Sequence, residues 1–382
     1  MRATREPAPP SEPVTGQVTG PVAARGALMR AEIDEQPLVL SRLLDEGRTA
    51  IGSVAAAVRS RRPRFALLAG RGTSDHAALY AKYLLEVRLG LPCGLVSPST
   101  LTGYGARPDL AGVLWIVVSQ SGGSPDLVDS TAAARACGAI TVAVTNAPGS
   151  PLGRAAEFGV DVLAGPELAV AATKSYTAQL LALYLLVDAL AGGDGELARP
   201  LPVTVAAALE RADEVRACAQ RYRFVERLVV TGRGYSYPSA REGALKIMET
   251  SYLSAHAFSA ADLLHGPLAM IDSDRPVIAV AAEGVGAAAC AGRTACGAAG
   301  CTSASRALRS AGRGLGLVMG SPSLSRTSTR DRVPRRPRVR GRARGRAGCR
   351  RPPTPRRRPW SARPARARTR PAPAGSRCGR AR

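Results

Sequence analysis

Five apolar residues, Leu114–Val118, stop at Ser119-Gln120-Ser121-Gly122-Gly123-Ser124, and a helix-like stretch opens at Pro125 and Asp126. The same rhythm recurs along the chain. FALLAG (65–70) and ITVAVTN (140–146) are short apolar runs, while residues 74–90 carry apolar side chains at spacings of three and four. Spacings of three and four gather apolar groups on one helix face, and short unbroken apolar runs bounded by turn residues suit strands covered on both sides. Strands alternating with helices predict an α/β fold in which parallel sheets are flanked by helices. The apolar run Ala178–Val187 is shorter than the roughly 18 residues that mark a membrane span and reads as a buried helix.

An internal repeat organises this pattern. RFALLAGRGTS (64–74) and ERLVVTGRGYS (226–236) lie 162 residues apart, each an apolar strand entering Gly-Arg-Gly-x-Ser and then a helix. A strand, turn and helix repeated in the same order point to duplication. The spacing predicts two tandem domains, 29–195 and 196–285, joined near AGGDGELARPLP (191–202). RPVIAVAAEG (275–284) reads as the second strand of the second domain, after which the strand–helix rhythm is lost, so that domain is expected to be incomplete. Residues 1–28, rich in Pro, Gly, Thr and Ala without periodicity, read as a disordered leader. Met29, at the head of MRAEIDEQPLVLSRLLDEG, is the expected true start. Folding is expected over 29–195, with aggregation or proteolysis beyond about 285, because half a sheet leaves an unpaired edge.

The formal charge of +24 would suggest a nucleic-acid partner until it is located. Residues 284–382 hold 26 Arg, no Lys and one acid, Asp331, whereas residues 1–283 hold 27 basic and 28 acidic residues. The tail, 286–382, is built of Arg, Ala, Pro, Gly and Ser, the residues of GC-rich codons, and reads as disordered. A frameshift near codons 285–290 accounts for it better than a selected basic tail, which would mix Lys with Arg; a natural basic tail is the alternative. Such a tail would bind phosphate backbones with steep salt dependence. Its lone tryptophan, Trp360, gives no interleaved aromatic pattern, so no specific nucleic-acid partner is expected. Cys93, Cys137 and Cys218 lie in the body without metal-ligand spacing and fit a reducing compartment. With no apolar signal core at the N-terminus, the body is expected to be soluble and cytoplasmic, without membrane, metal or cofactor.

In an open parallel sheet, ligands sit beyond the carboxyl ends of the strands. A Ser/Gly loop there presents hydroxyls, free amides and a helix N-terminus, which together suit a phosphate. Ser119, Gln120, Ser121 and Ser124 are the candidate donors, with Asp126 expected to face away and cap the helix. An ordinary strand-to-helix loop has the same composition. Two further loops strengthen the phosphate reading: Thr73 and Ser74 at one helix start, Thr173 and Ser175 at another.

Four stretches, in order, carry a resemblance: GRGTSDHAALYAKYLLE, SQSGGSPDLV, AGPELAVAATKSYTAQLLALYLL and AREGALKIMETSYLSAHAFSAADLLHGPLAMID. Over residues 29 to about 284 the chain resembles the sugar isomerase (SIS) family, in particular the isomerase half of glutamine–fructose-6-phosphate aminotransferases and the related glucosamine-6-phosphate deaminases. The resemblance implies two tandem SIS domains and a sugar phosphate gripped by Ser119, Gln120, Ser121 and Ser124, with Thr73, Ser74 and the backbone around Val170. Thr173, on the third loop, joins this candidate set. Glu242, Lys246 and Glu249 fall on one helix face, as an ordinary salt-bridge stripe also would. The resemblance makes Glu249 the general base, Lys246 its supporting cation and His265 the ring-opening group. It also implies a homodimer, since the family's histidine reaches a neighbouring subunit's site. His76 and His256 read as buried histidines satisfied by backbone carbonyls.

Two departures narrow the activity. Nothing corresponds to the aminotransferases' glutamine-hydrolysing domain, so ammonia release, or synthesis from free ammonia, is expected. Lys82, Lys174 and Lys246 are the only lysines, so the tail lysine that forms a Schiff base in the aminotransferases has no counterpart. The resulting expectation is an amino-sugar phosphate isomerase or deaminase; the alternatives are a sugar-phosphate-binding module without turnover and an inactive truncated product. Resequencing the coding DNA across codons 275–300 is expected to reveal a missing or extra base, and an intact frame would contradict the frameshift.

Overall fold

The computed structural model describes residues 26–271, 275–282 and 316–320, the last by backbone alone. All of them belong to one unit, Met1–Ser325. The expected leader and most of the expected tail, with the frameshift junction, lie outside the described residues.

Helices α1 (Ala27–Asp34), α2 (Gln36–Arg42) and α3 (Arg48–Ser60) lead into β1 (Phe65–Ala69), α4 (Thr73–Leu89), β2 (Cys93–Leu95), α5 (Ser99–Thr102) and β3 (Val113–Ser119). Then come α6 (Pro125–Ala136), β4 (Ile140–Thr145), α7 (Pro151–Ala155), β5 (Phe158–Asp161) and α8 (Lys174–Leu190). Two helices, α9 (Leu201–Leu209) and α10 (Ala212–Ala219), precede β6 (Arg227–Gly232), α11 (Ser236–Ser251), β7 (Ser254–Ser259), β8 (Val277–Ala281) and β9 (Gly316–Gly320).

The first sheet has the order β2-β1-β3-β4-β5, all parallel. Its centre is β3, whose apolar run divides between two cores. Leu114, Ile116 and Val118 pack with residues of α3, α4 and α8, whereas Trp115 and Val117 pack with Leu127 of α6 and Leu152 of α7. Alternation along one strand thus serves helices on both faces, which is why β3 reads as an unbroken apolar run. The Trp115 indole keeps a partner in this core by donating to Thr131 Oγ1 at 3.3 Å.

The second sheet has the order β7-β6-β8-β9. β6 runs parallel to β7 and β8, and β9 lies antiparallel against β8. Two expectations change here. Val277–Ala281 is the third strand of this part of the chain in sequence, because Ser254–Ser259 already forms the edge strand β7. SAHAFS is only partly buried, with Ser254 and His256 exposed, and it lacks the apolar run that marks a central strand. The tail residues Gly316–Gly320, GLVMG, pair as a strand inside the stretch read as disordered.

Both Gly-Arg-Gly turns meet the same steric demand. A Cβ on Gly70 would lie 2.6 Å from the Ser74 carbonyl, and one on Gly232 would lie 2.5 Å from that of Ser236. The strand end and the following helix approach so closely that any side chain there strikes backbone. Gly243, in the middle of α11, has nothing within 4 Å of its virtual Cβ. Gly232→Ala should therefore lower unfolding free energy by roughly 1–3 kcal/mol. Gly243→Ala should raise it by about 0.5–1 kcal/mol through helix propensity. Urea denaturation of the two variants checks the contrast; equal effects would contradict it.

Candidate functional site

The two Gly-Arg-Gly turns launch α4 and α11, which pack against each other and bring their polar side chains together. From α11, Glu242, Lys246 and Glu249 project at i, i+4 and i+7, one position per turn on a single face. From the first turn of α4 come Thr73 and His76.

Glu242 is buried, and both of its carboxylate oxygens are engaged. Oε2 pairs with His76 Nδ1 at 2.7 Å. Oε1 accepts from Thr73 Oγ1 at 2.9 Å and lies 3.3 Å from Lys246 Nζ. Lys246 Nζ in turn donates to Thr73 Oγ1 at 3.0 Å and to Glu249 Oε2 at 2.6 Å. Thr73 thus donates to the carboxylate and accepts from the ammonium. A buried charge needs such partners to offset its lost hydration. The network grades outward from buried His76 and Glu242 to Glu249, the exposed end. Nearby, burial pushes the Tyr176 phenol well above its usual pKa, which keeps it neutral.

The stripe of three was legible from spacing alone, but the role of Glu242 as its buried anchor was not. His76 is corrected: its partner is a carboxylate 166 residues away rather than a backbone carbonyl. His256 is corrected too; it is exposed on β7, with Nε2 3.3 Å from Ser254 Oγ. That His76 stands three residues after Thr73, on the same helix, was the available signal.

The Ser/Gly loop is pre-curled. Ser119 Oγ accepts from the Gly122 amide at 3.1 Å, Ser121 Oγ accepts from the Gly123 amide at 3.3 Å, and the Gln120 carbonyl accepts from the Asn146 amide at 3.1 Å. Ser124 is the N-cap of α6, and its hydroxyl makes no capping bond. Asp126 does not cap that helix as expected. It pairs with the Arg71 guanidinium and accepts from Thr102 Oγ1 at 2.9 Å, so Arg71 of the first Gly-Arg-Gly turn crosses to α6. Ser74 is buried and accepts from Gln179 Nε2 at 3.2 Å. The Thr173 amide donates to Glu167 Oε1 at 2.8 Å, while Thr173 Oγ1 is buried with no hydrogen-bond partner among the described residues. Val170 is fully exposed. Because the strands are parallel, the loops bearing Thr73, Ser119 and Val170 all leave the same end of the first sheet.

His265 follows the short turn Asp262–Leu264 and is exposed. No hydrogen bond or ion pair joins its side chain to Lys246 or Glu249 among the described residues. Burial pushes the Cys93 thiol up to about 12, far from a reactive thiolate. Among the described residues, no three His, Cys, Asp or Glu side chains gather as a metal-ligand set, and no helix is long and apolar enough to cross a membrane.

Comparison with known proteins identifies the class of domain. The chain belongs to the SIS domain family, whose family model matches residues 61–189 and 223–291. It is 38% identical over 259 residues to the glutamine–fructose-6-phosphate aminotransferase (isomerizing) of Methanothermobacter thermautotrophicus, covering 67% of this chain and 43% of that protein. It is 37% identical over 276 residues to the enzyme of the same name from Pseudomonas putida, covering 66% and 44%. The chain thus spans less than half the length of these curated relatives. Among solved structures, a presumed phosphosugar isomerase from Silicibacter pomeroyi DSS-3 is 40% identical, with a TM-score of 0.67 over 71% of this chain and 83% of that one. The C-terminal domain of glucosamine-fructose-6-phosphate aminotransferase from Francisella tularensis is 28% identical, with a TM-score of 0.63 over 69% and 79%.

Proposed function

We propose that this chain is a hexosamine-phosphate isomerase or deaminase that interconverts glucosamine 6-phosphate and fructose 6-phosphate by moving a proton between C1 and C2. The observation that carries the reading is the Lys246–Glu249 pair, 2.6 Å apart at the open end of a network whose other end is buried. A binding module has use for the phosphate loop but not for a carboxylate held beside an anchored cation.

The phosphate sits on Ser119, Gln120, Ser121 and Ser124 at the N-terminus of α6, where hydroxyls, amides and the helix dipole favour an anion. Thr73, Ser74, Thr173 and the Val170 backbone complete the grip. With the sugar ring open, Glu249 takes the proton from C2 of the aldose and returns it to C1, while Lys246 stabilises the negative charge that develops on oxygen. For the amino sugar, this transfer leaves an imine at C2. Water adds to it, and ammonia departs as the ketose forms. His265 opens the ring from a second copy of the chain, which makes the working form a homodimer. Two SIS domains in tandem, the second incomplete, and a cytoplasmic location belong to the same reading.

One observation favours binding without turnover: in a single chain His265 has no link to the Lys246–Glu249 pair. Ammonia release from glucosamine 6-phosphate by wild-type protein and by Glu249→Gln separates the two readings. Catalysis predicts turnover by the wild type and a loss of roughly 10²–10⁴-fold in the variant, with binding retained. Wild-type binding without turnover would favour the module, and a variant that keeps full activity would overturn the mechanism.

A further inference from the structure

The first helix is tied to a loop far along the chain. Glu32 of α1 is only 4% exposed. Its carboxylate accepts from the amides of Leu168 and Ala169, the latter at 3.1 Å to Oε1 and 3.3 Å to Oε2. One turn on, Glu35 Oε2 accepts from Lys174 Nζ at 2.6 Å, and Lys174 is 2% exposed. Between these ties run Val170, Ala171, Ala172 and Thr173. Glu167 holds the far end by accepting from the Thr173 and Ser175 amides. The near end is fixed as well, since Asn146 Nδ2 donates to the Gly165 carbonyl at 2.7 Å and Arg42 Nη1 donates to that of Leu163 at 3.0 Å.

Apolar packing holds little of this segment beyond the buried Ala171. Leu168 is 72% exposed and Val170 fully exposed, so their side chains contribute little burial. What holds it are charge-assisted bonds to carboxylates, which are stronger and more directional than neutral ones. A loop that needed only to connect β5 to α8 would have no use for two carboxylates, one from α1 and one from the junction of α1 and α2. A loop that must present backbone groups at a fixed position would.

We infer that Glu32 and Glu35 are positioning residues, which latch the Leu168–Thr173 loop so that the backbone around Val170 and the Thr173 hydroxyl are pre-placed for the phosphosugar. The inference rests on the reading of that loop as part of the substrate pocket. Pre-placement removes the ordering cost that a free loop would charge to binding.

The test combines hydrogen exchange with calorimetry on the full chain, using fructose 6-phosphate and glucosamine 6-phosphate as probes. Glu32→Ala is expected to speed amide exchange across residues 165–173, to leave α11 unchanged, and to weaken binding by about tenfold or more, the scale of lost bonds to a charged acceptor. Glu32→Gln, which keeps an acceptor oxygen, should recover part of the affinity. Should Glu32→Ala fail to fold, Glu35→Gln at a half-exposed side chain carries the test, with effects in the same direction. Unchanged exchange at 165–173 would overturn the latch. Faster exchange with unchanged affinity would overturn its role in binding. Wild-type protein that binds neither sugar would overturn the pocket reading and the inference with it, and that result needs no variant.

Discussion

A buried carboxylate sits at the centre of the join between the two sheets. Glu242, on the helix that follows the second sheet's first strand, meets His76 and Thr73, on the helix that follows the first sheet's first strand. Left without those partners, it would be a charge held away from water, at a cost of several kcal/mol. The two helices must therefore dock in the one register that satisfies it. Lys246 follows from the same constraint, since its ammonium sits against both Glu242 and Thr73 and is thereby fixed beside Glu249. The exposed end of the network inherits its geometry from the buried end. Tyr80 and Tyr83 add edge contacts to Tyr235 at centroid distances of 6.0 and 6.2 Å along the same joint.

Around that joint the fold supplies ends and loops. The Gly-Arg-Gly turns bring strand and helix within van der Waals contact, which points the first turn of each helix inward. The first sheet's parallel strands then deliver three loops to one end of the sheet. Each loop is held by polar ties: Ser119 and Ser121 bond their own loop's amides, Asp126 bridges to Arg71, and Glu167 together with the distant Glu32 and Glu35 holds the segment leading into α8.

What the sequence made legible was mostly local. β1, β3 and β4 could be read because burial on both faces demands an apolar run. The stripe of Glu242, Lys246 and Glu249 could be read because helix geometry fixes which spacings share a face. What escaped was non-local or half-exposed. The His76–Glu242 pair joins positions 166 residues apart, and no periodicity encodes such a distance. β7 sits at a sheet edge, where one face needs no apolar residues. GLVMG stood alone in a tail whose sequence has no strand–helix rhythm. Asp126 was assigned to capping because a carboxylate is unwelcome beside a bound anion, whereas the guanidinium of Arg71 offered it a partner of opposite charge.

Glu242 should couple the two helices energetically. A double-mutant cycle of His76→Ala and Glu242→Ala, followed by urea unfolding, measures that directly. The predicted result is a coupling of roughly 1–3 kcal/mol, as expected for contacting residues in one polar network. Additive effects, with coupling near zero, would mean that the sheets are held together by other contacts and that the Lys246–Glu249 pair owes its position to something else.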